Sequence, residues 1–272
     1  MPRSRLRKLL IGELSWKRLG RSLLFIYTFF AIYVFFRADS MIFLPQPTTY
    51  QDSSGILKVP VTEREKISAL SLTNSPAAYT LLYIHGNAED LGDIRPLLQR
   101  LHSWGFSVFA YDYRGYGTSD GTPGEQNAYQ DADAAYTYLT QRLRVSPERI
   151  IVYGRSVGGG SAVELVRRHP IAGLILESTF TSAFRVVVPF PLLPFDKFSN
   201  LDMRSVRCPV LVMHGQADST IPLHHGEKLY EVAPAPKLSL WVEGAGHDDF
   251  TWVAGEQHRA TLKAFQQLIE AN

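Results

Sequence analysis

Residues 149–166 read RIIVYGRSVGGGSAVELV, an apolar run that passes through one sharp corner into a segment with helical spacing. Four glycines surround Ser156 at that corner. Three interpretations compete: a phosphate-binding loop, a turn that presents a nucleophilic serine, and a plain connection between a strand and a helix.

The glycines do not fit a phosphate-binding loop. A P-loop has the pattern G-x-x-x-x-G-K-[ST], and no lysine follows these glycines. The dinucleotide fingerprint G-x-G-x-x-G/A also fails, because the six residues from Gly158 end in Val163.

The nucleophile interpretation agrees with the local pattern, since residues 154–158 are G-x-S-x-G between a predicted strand and a predicted helix. In such a turn the serine is strained and stands clear of the sheet, and small neighbours let the strand and helix approach each other. The helix N-terminus also offers unpaired amides to a developing negative charge. We therefore predict Ser156 as the nucleophile.

A serine hydroxyl needs a base, and the base needs an orienting acid. Asp218 follows the apolar run PVLVMHG, and His247 follows the run LSLWVEG, which gives the chain order Ser, Asp, His. The alternative roles are a turn aspartate and a surface histidine. Asp248 and Asp249 could orient the base instead, but as immediate neighbours of His247 they are expected to point elsewhere.

Two backbone amides are expected to form an oxyanion hole. One is that of Val157, directly after the nucleophile, and the other is that of Asn87 in the loop YIHGNAEDLG. His85 and His214 each precede a glycine at a strand end, so we interpret them as structural turn residues.

The rest of the chain alternates apolar runs with helical stretches, which predicts an α/β fold with a mostly parallel sheet covered by helices on both faces. The runs are residues 80–86, 106–115, 149–154, 172–179, 209–215 and 238–244. Residues 45–79 are expected to add one or two antiparallel edge strands.

We predict two parts of the chain, a basic N-terminal segment over 1–40 and a catalytic domain over 41–272. Within the domain, residues 180–207 contain VVVPFPLLPF, whose prolines exclude a long regular helix. This segment is either a crossover loop packed on the core or a small apolar cap over the pocket.

Residues 22–36 are fifteen uncharged residues between Arg21 and Arg37. A helix of that length spans about 22 Å, and Leu19 and Gly20 extend it toward the roughly 30 Å of a bilayer core. We favour a membrane anchor over a cleaved signal peptide, because the best small-residue cleavage site, at 38–40, is poor. The positive-inside rule predicts a cytoplasmic N-terminus with the catalytic domain on the opposite side.

The two parts of the chain have net charges of opposite sign. Residues 1–40 carry eight Lys or Arg against two acidic residues, a net +6, whereas the other 232 residues carry 20 basic and 24 acidic groups, a net −4. The domain therefore shows no basic face for nucleic acid. Cys208 is the only cysteine, which excludes an intramolecular disulfide and a multi-cysteine metal site.

Several ordered motifs together resemble the α/β-hydrolase superfamily, in its branch of small membrane-anchored serine hydrolases that includes protein depalmitoylases. They are HGNAEDLG, YDYRGYGTSDG, GRSVGGG, LESTFTS, CPVLVMHGQAD and GAGH. The resemblance implies the α/β-hydrolase fold, a single N-terminal anchor, and Ser156, Asp218 and His247 as the catalytic triad.

That resemblance implies hydrolysis of an acyl ester or thioester without metal or cofactor, on a small or lipid-like substrate. Depalmitoylases of this branch carry an N-terminal cysteine cluster, whereas this chain has no cysteine before Cys208. A peptidase on the same scaffold and a non-catalytic binding module are the alternatives.

Two ion pairs are also predicted near the site. Asp112 and Arg114 are expected to pair with each other, because charges at buried strand ends are normally paired. Arg155 is expected to bind a carboxylate in a neighbouring loop, with Glu177 as the candidate.

Overall fold

A computed structural model describes residues 15–53, 55–203 and 205–272. The described residues divide into two compact units at Ala38 and Asp39. Helix α1 (Trp16–Ile42) is long and apolar enough to cross a membrane, and it includes the predicted anchor at 22–36. At about 1.5 Å per residue its 27 residues measure roughly 40 Å.

Among the described residues, eight strands form one sheet in the order β1-β2-β4-β3-β5-β6-β7-β8. Strands β3 to β8 are parallel, while β1 pairs antiparallel with β2, and β2 with β4. The strands are β1 (Ile56–Pro60), β2 (Lys66–Leu72), β3 (Thr80–Ile84), β4 (Ser107–Tyr111), β5 (Ile150–Arg155), β6 (Gly173–Glu177), β7 (Val210–Gly215) and β8 (Lys237–Val242). The predicted mostly parallel sheet and its antiparallel edge are confirmed.

Strand β5 shows why the apolar runs lack polar alternation. Every residue of Ile150–Arg155 is buried. Its successive side chains point to opposite faces: Ile150 and Val152 join one apolar cluster, and Ile151 and Tyr153 join the other. A strand covered on both faces needs apolar residues at nearly every position.

Helices cover both faces of this sheet. They are α2 (Arg95–Ser103), α3 (Glu125–Thr137), α4 (Gly158–Arg168), α5 (Ala183–Val187), α6 (His224–Val232) and α7 (Phe250–Glu270). A π-helical turn, Tyr138–Arg142, continues α3, and a short 3-10 helix, Pro147–Arg149, precedes β5. Pro96 lies in the first turn of α2, where its missing N–H breaks no bond.

The predicted pair between Asp112 and Arg114 is wrong. The Arg114 Nε donates to Asp131 at 2.7 Å, and its Nη1 lies 3.0 Å from Glu65. Asp112 instead accepts from the Leu91 amide at 2.9 Å. Both residues lie in the turn after β4, which ends at Tyr111, so strand geometry does not bring them together and each pairs with a different neighbouring segment.

The parallel strands end at one edge and carry the site there. β3 and β5 are in register at Ile84 and Gly154, and β7 and β8 at Gly215 and Val242. Loops that follow the carboxyl ends of neighbouring parallel strands meet in one crevice. The predicted site residues all lie in these loops or at the β5–α4 corner.

Candidate active site

The corner at Ser156 has the strained geometry that its sequence predicts. Ser156 has φ of +52°, a left-handed conformation that is rare outside glycine. A Cβ built on Gly158 would overlap the carbonyl oxygen of Ile84, and one on Gly154 would lie 2.7 Å from the Ala162 Cβ. Strand and helix therefore meet too closely for larger side chains at these two positions.

Backbone contacts hold this corner in place. The Ser156 amide donates to the Glu177 carbonyl at 2.9 Å, and the Thr179 hydroxyl donates to the Ser156 carbonyl at 2.6 Å. Both partners belong to β6 or the residues just after it. The strained turn is thus supported by the neighbouring strand, as a non-glycine residue with positive φ requires.

The three predicted polar side chains lie in one hydrogen-bonded line. The His247 Nε2 is 3.0 Å from the Ser156 Oγ, and the His247 Nδ1 is 2.8 Å from the Asp218 Oδ2. A carboxylate only accepts, so His247 carries its proton on Nδ1, which leaves Nε2 free to accept from the serine hydroxyl. Asp248 has a side chain that is 92% exposed and bonds to Arg155, so it does not orient the histidine.

Asp218 is held as an ionised acceptor. Its Oδ1 accepts from the amides of Thr220 at 2.9 Å and Ile221 at 2.7 Å. Burial alone would raise the pKa of this carboxyl, but hydrogen bonds from His214, His247 and the Ile221 amide outweigh burial and lower it. The group that faces His247 is therefore a carboxylate at neutral pH.

His214 has a second contact that the sequence analysis missed. This fully buried ring donates from Nε2 to the Ile221 carbonyl at 2.7 Å, as expected for a turn residue. The same nitrogen lies 3.4 Å from the Asp218 Oδ2. The signal was the four-residue spacing in HGQAD, which brings the strand-end histidine back to the carboxylate.

Arg155 connects three loops behind the serine. The predicted pair with Glu177 is confirmed at 3.4 Å, but the closer partner is Glu89, whose two oxygens lie 2.8 and 2.9 Å from Nη1. Its Nη2 donates to the His247 carbonyl at 3.0 Å. Glu89 also accepts from the Gly86 amide at 2.6 Å. A single guanidinium thus joins the predicted oxyanion loop to the loop that carries His247.

The two predicted oxyanion donors line the same cavity as Ser156 and His247. In the described part of the chain, the backbone N–H groups of Asn87 and Val157 have no hydrogen-bond acceptor. Ala88, the next residue, has φ of +57°, a left-handed conformation that makes a sharp turn between Asn87 and Glu89. Two unpaired amides beside an activated hydroxyl are the arrangement that binds a tetrahedral oxyanion.

The cavity in front of Ser156 has a volume of about 560 Å³. Its apolar lining comes from the end of α1, from the β5–α4 corner, from the segment after β6 and from the loop after β7: Met41, Ile42, Val157, Phe180, Ala183, Val186, Val187 and Ile221. Polar side chains of Asn87, Arg155 and His247 line the same cavity, and its size suits a small ligand. Residues 15–53, 55–203 and 205–272 contain no cluster of three or more His, Cys, Asp or Glu that could hold a metal ion.

Comparison with known proteins gives the family. The α/β-hydrolase domain-containing protein 17B of Xenopus tropicalis is 43% identical over 211 residues, which cover 75% of this chain and 73% of the relative. The human protein 17B matches equally, and human protein 17C is 45% identical over 191 residues, 69% of this chain and 57% of its own. The chain belongs to the α/β-hydrolase domain-containing family. The predicted resemblance is confirmed.

Matches to a protein-family model and to solved structures agree with membership of this family. A protein-family model described as serine aminopeptidase, S33, matches residues 75–199. An esterase of Pyrococcus furiosus has a TM-score of 0.69 at 18% identity, covering 83% of this chain and all of the other. An alpha-beta serine hydrolase homologue from Coxiella burnetii has a TM-score of 0.61 at 15% identity, covering 79% and 98%. The solved structures establish the α/β-hydrolase fold, and family and fold together indicate a hydrolase.

Proposed function

We propose that the protein is a serine hydrolase that cleaves an acyl ester or thioester through Ser156, His247 and Asp218. The observation that carries this proposal is the pair of contacts made by His247, 3.0 Å to the serine oxygen and 2.8 Å to the carboxylate. They connect nucleophile, base and acid in the order that acyl transfer requires.

In the first half-reaction, the Ser156 Oγ bonds to the acyl carbon while its proton passes to the His247 Nε2. The amides of Asn87 and Val157 stabilise the oxyanion of the tetrahedral intermediate. The carbonyl re-forms, the bond to the leaving oxygen or sulfur breaks, and His247 gives that atom its proton. An acyl ester of Ser156 remains.

In the second half-reaction, a water molecule gives one proton to His247 and bonds to the same acyl carbon. The second intermediate collapses, the carboxylic acid leaves, and the proton returns to the Ser156 oxygen. Asp218 stays ionised because its pKa is lowered, so it stabilises the imidazolium in both halves. Neither half requires a metal or an organic cofactor.

A lipophilic substrate near a membrane is supported by two features. One part of the cavity wall is apolar, formed by Met41, Ile42 and the residues 180–187 that line it. Helix α1 exposes large apolar side chains all round, including the consecutive residues Leu24, Phe25 and Ile26, and a helix that is apolar on all faces is stable inside protein or lipid. We infer a single-pass anchor at 22–36, with a cytoplasmic N-terminus and the domain of residues 41–272 on the opposite side. Residues 180–207 then serve as a cap at the pocket mouth.

Labelling with a fluorophosphonate probe tests the reaction. We expect the parent to react, Ser156→Ala to lose all labelling, and Asp218→Asn and His247→Ala to react far more slowly. Ser161→Ala is the matched control, because this buried serine has a hydroxyl without a hydrogen-bond partner among the described residues. A folded parent that does not react would favour the binding-module alternative.

Peptidase activity is the second candidate, favoured by the match to the serine aminopeptidase family model over residues 75–199. Turnover of acyl esters and thioesters should be compared with that of aminoacyl amides at equal enzyme concentration. Faster amide cleavage would make the peptidase the better assignment.

The proposed membrane anchor is tested by washing membranes with alkaline carbonate. We expect the protein to stay in the pellet, and its release into the supernatant would contradict the anchor.

A further inference from the structure

The segment just after the apolar span, residues 39–44, contacts the candidate active site directly. Met41 and Ile42 line the cavity that contains Ser156. Phe43 is buried, with its ring centroid 5.9 Å from that of Tyr113 and 5.8 Å from that of Phe198. The Asp39 carboxylate lies 3.0 Å from the Lys197 ammonium. This segment is therefore part of the catalytic domain's packing and not a free linker.

The side chain of Asn87 binds this segment at two points. Its Nδ2 donates to the Ile42 carbonyl at 2.7 Å, and its Oδ1 accepts from the Leu44 amide at 2.9 Å. The Tyr116 hydroxyl donates to the same Oδ1 at 2.6 Å and accepts from the Leu44 amide at 2.9 Å. One amide group and one phenol thus fix the backbone on both sides of Phe43.

Asn87 is also the residue whose backbone N–H is the proposed second oxyanion donor. An oxyanion donor acts through its position, because the stabilisation depends on an amide already aimed at the developing charge. Such groups have to be held within about 0.5 Å by their supporting contacts. On the other side the loop is held by Glu89 and Arg155. The contacts of the Asn87 side chain are the corresponding support on the side of residues 41–44.

We propose that residues 41–44 complete the active site, with Met41 and Ile42 as a wall of the acyl pocket and Asn87 as a positioning residue whose side chain uses this segment to aim its own amide. This inference rests on the proposed serine hydrolase function.

The positioning role is tested by Asn87→Ala in the full-length protein in detergent micelles, with active sites titrated by the fluorophosphonate. For a short ester we expect kcat per titrated site to fall by about 10- to 100-fold, less than the roughly 10²- to 10³-fold loss for a removed oxyanion donor, because Asn87→Ala keeps the backbone amide and only misplaces it. KM should change less than about threefold, because ground-state binding of a short chain does not depend on the oxyanion amide. The pH midpoint of labelling should stay that of the parent, since the triad contacts are unchanged.

Tyr116→Phe tests the same contacts without changing Asn87. If Asn87→Ala does not fold, this second variant alone tests the positioning role. It removes the hydroxyl that joins Asn87 to Leu44, so we expect a smaller fall in kcat, about three- to tenfold. Tyr136→Phe is the matched control, because its hydroxyl bonds to the Pro170 carbonyl, away from the cavity. If both site variants keep kcat per titrated site within twofold of the parent, the inference is wrong, whereas a parent that cannot be titrated refutes the proposed function itself.

The pocket wall is tested by Met41→Trp with esters of increasing acyl length. We expect kcat/KM to fall more for long chains than for acetate, because the larger ring fills the space that only the long chain occupies. Leu143→Trp, a substitution at a partly exposed leucine outside the cavity, should leave the chain-length profile unchanged. An unchanged profile in Met41→Trp would remove residue 41 from the acyl pocket.

Discussion

The two sides of the cavity around Ser156 are built differently. On the acid–base side, His247, Asp218 and His214 are buried or nearly so: His247 is hydrogen-bonded to Asp218 at 2.8 Å, and His214 lies 3.4 Å from the same carboxylate oxygen. On the pocket side, Val187 is 82% exposed, and Phe190, in the same segment, is 58% exposed. Hydrogen bonds require one arrangement of their partners, whereas apolar contacts tolerate many. We infer that the first side fixes the reaction and the second selects the substrate.

The largest effect is expected from Asp218→Asn. The amide can donate as well as accept, so it permits the wrong tautomer of His247, and kcat should fall by about 10⁴-fold with little change in KM. Asp133→Asn is a matched control, because Asp133 also lies 2.9 Å from a histidine, His169, but on the surface. Steady-state kinetics of both variants measure the difference. Equal losses in the two would mean that Asp218 acts through stability alone.

A smaller but still large effect is expected from Arg155→Met. Glu89 and Glu177 lose the guanidinium that pairs with both of them, and breaking a buried ion pair costs about 3–5 kcal/mol. Because Arg155 also bonds to the His247 carbonyl, kcat per folded molecule should fall as well. Denaturant unfolding and active-site-titrated kinetics separate the two losses.

Arg155→Lys is the companion variant for that experiment. Lysine keeps the positive charge, but its single ammonium cannot replace the planar guanidinium, which bonds to the Glu89 carboxylate and to the His247 carbonyl at the same time. We expect stability to be partly restored and kcat to remain low. Full recovery of kcat by lysine would show that charge alone, and not the geometry of the fork, supports the histidine loop.

A buried polar chain leads from Glu177 through the Tyr153 hydroxyl to His258, 3.2 Å from that hydroxyl, and His258 should give stability a pH dependence. Burial, with a smaller effect of Arg100, lowers the pKa of this ring to about 3 from its ordinary 6.5. Between these values the unfolded chain binds a proton that the folded protein excludes, so the free energy of unfolding rises with pH. The contribution is complete above about pH 6.5 and falls by up to about 1.4 kcal/mol per pH unit below it.

His258→Phe tests that dependence, because phenylalanine fills the aromatic site beside Trp104 and Phe250 without a titrating nitrogen. Its free energy of unfolding should vary less between pH 4 and 6.5 than that of the parent. His102→Phe, at a partly exposed histidine, is the control and should keep the parent's slope. A parent that is equally stable at both pH values would contradict the assignment of the neutral buried ring.

The sequence predicts the contacts that follow from the order of the strands, but not those that depend on packing between distant segments. Ser156, Asp218 and His247 each follow a parallel strand, and the sheet alone brings strand ends together, so their meeting follows from chain order. Glu177 is the expected partner of Arg155, but its closer partner Glu89 and the partners of Arg114 could not be chosen in this way, because several carboxylates lie near each guanidinium and only packing selects among them. The contact between Asn87 and residues 42–44 joins segments more than forty residues apart, and no local pattern encodes it.

The smallest effect is expected from Val187→Ser, which changes only the pocket side. Because Val187 is mostly exposed, the free energy of unfolding should change by less than about 0.5 kcal/mol, and the rate of fluorophosphonate labelling should stay that of the parent. Losing apolar contact with a long acyl chain removes about 1 kcal/mol of binding, which lowers kcat/KM for that chain about fivefold. Turnover of acetate and long-chain esters by the two proteins measures this directly. If labelling slows as much as long-chain turnover, residue 187 affects the serine itself, and the division between a side for chemistry and a side for selection is wrong.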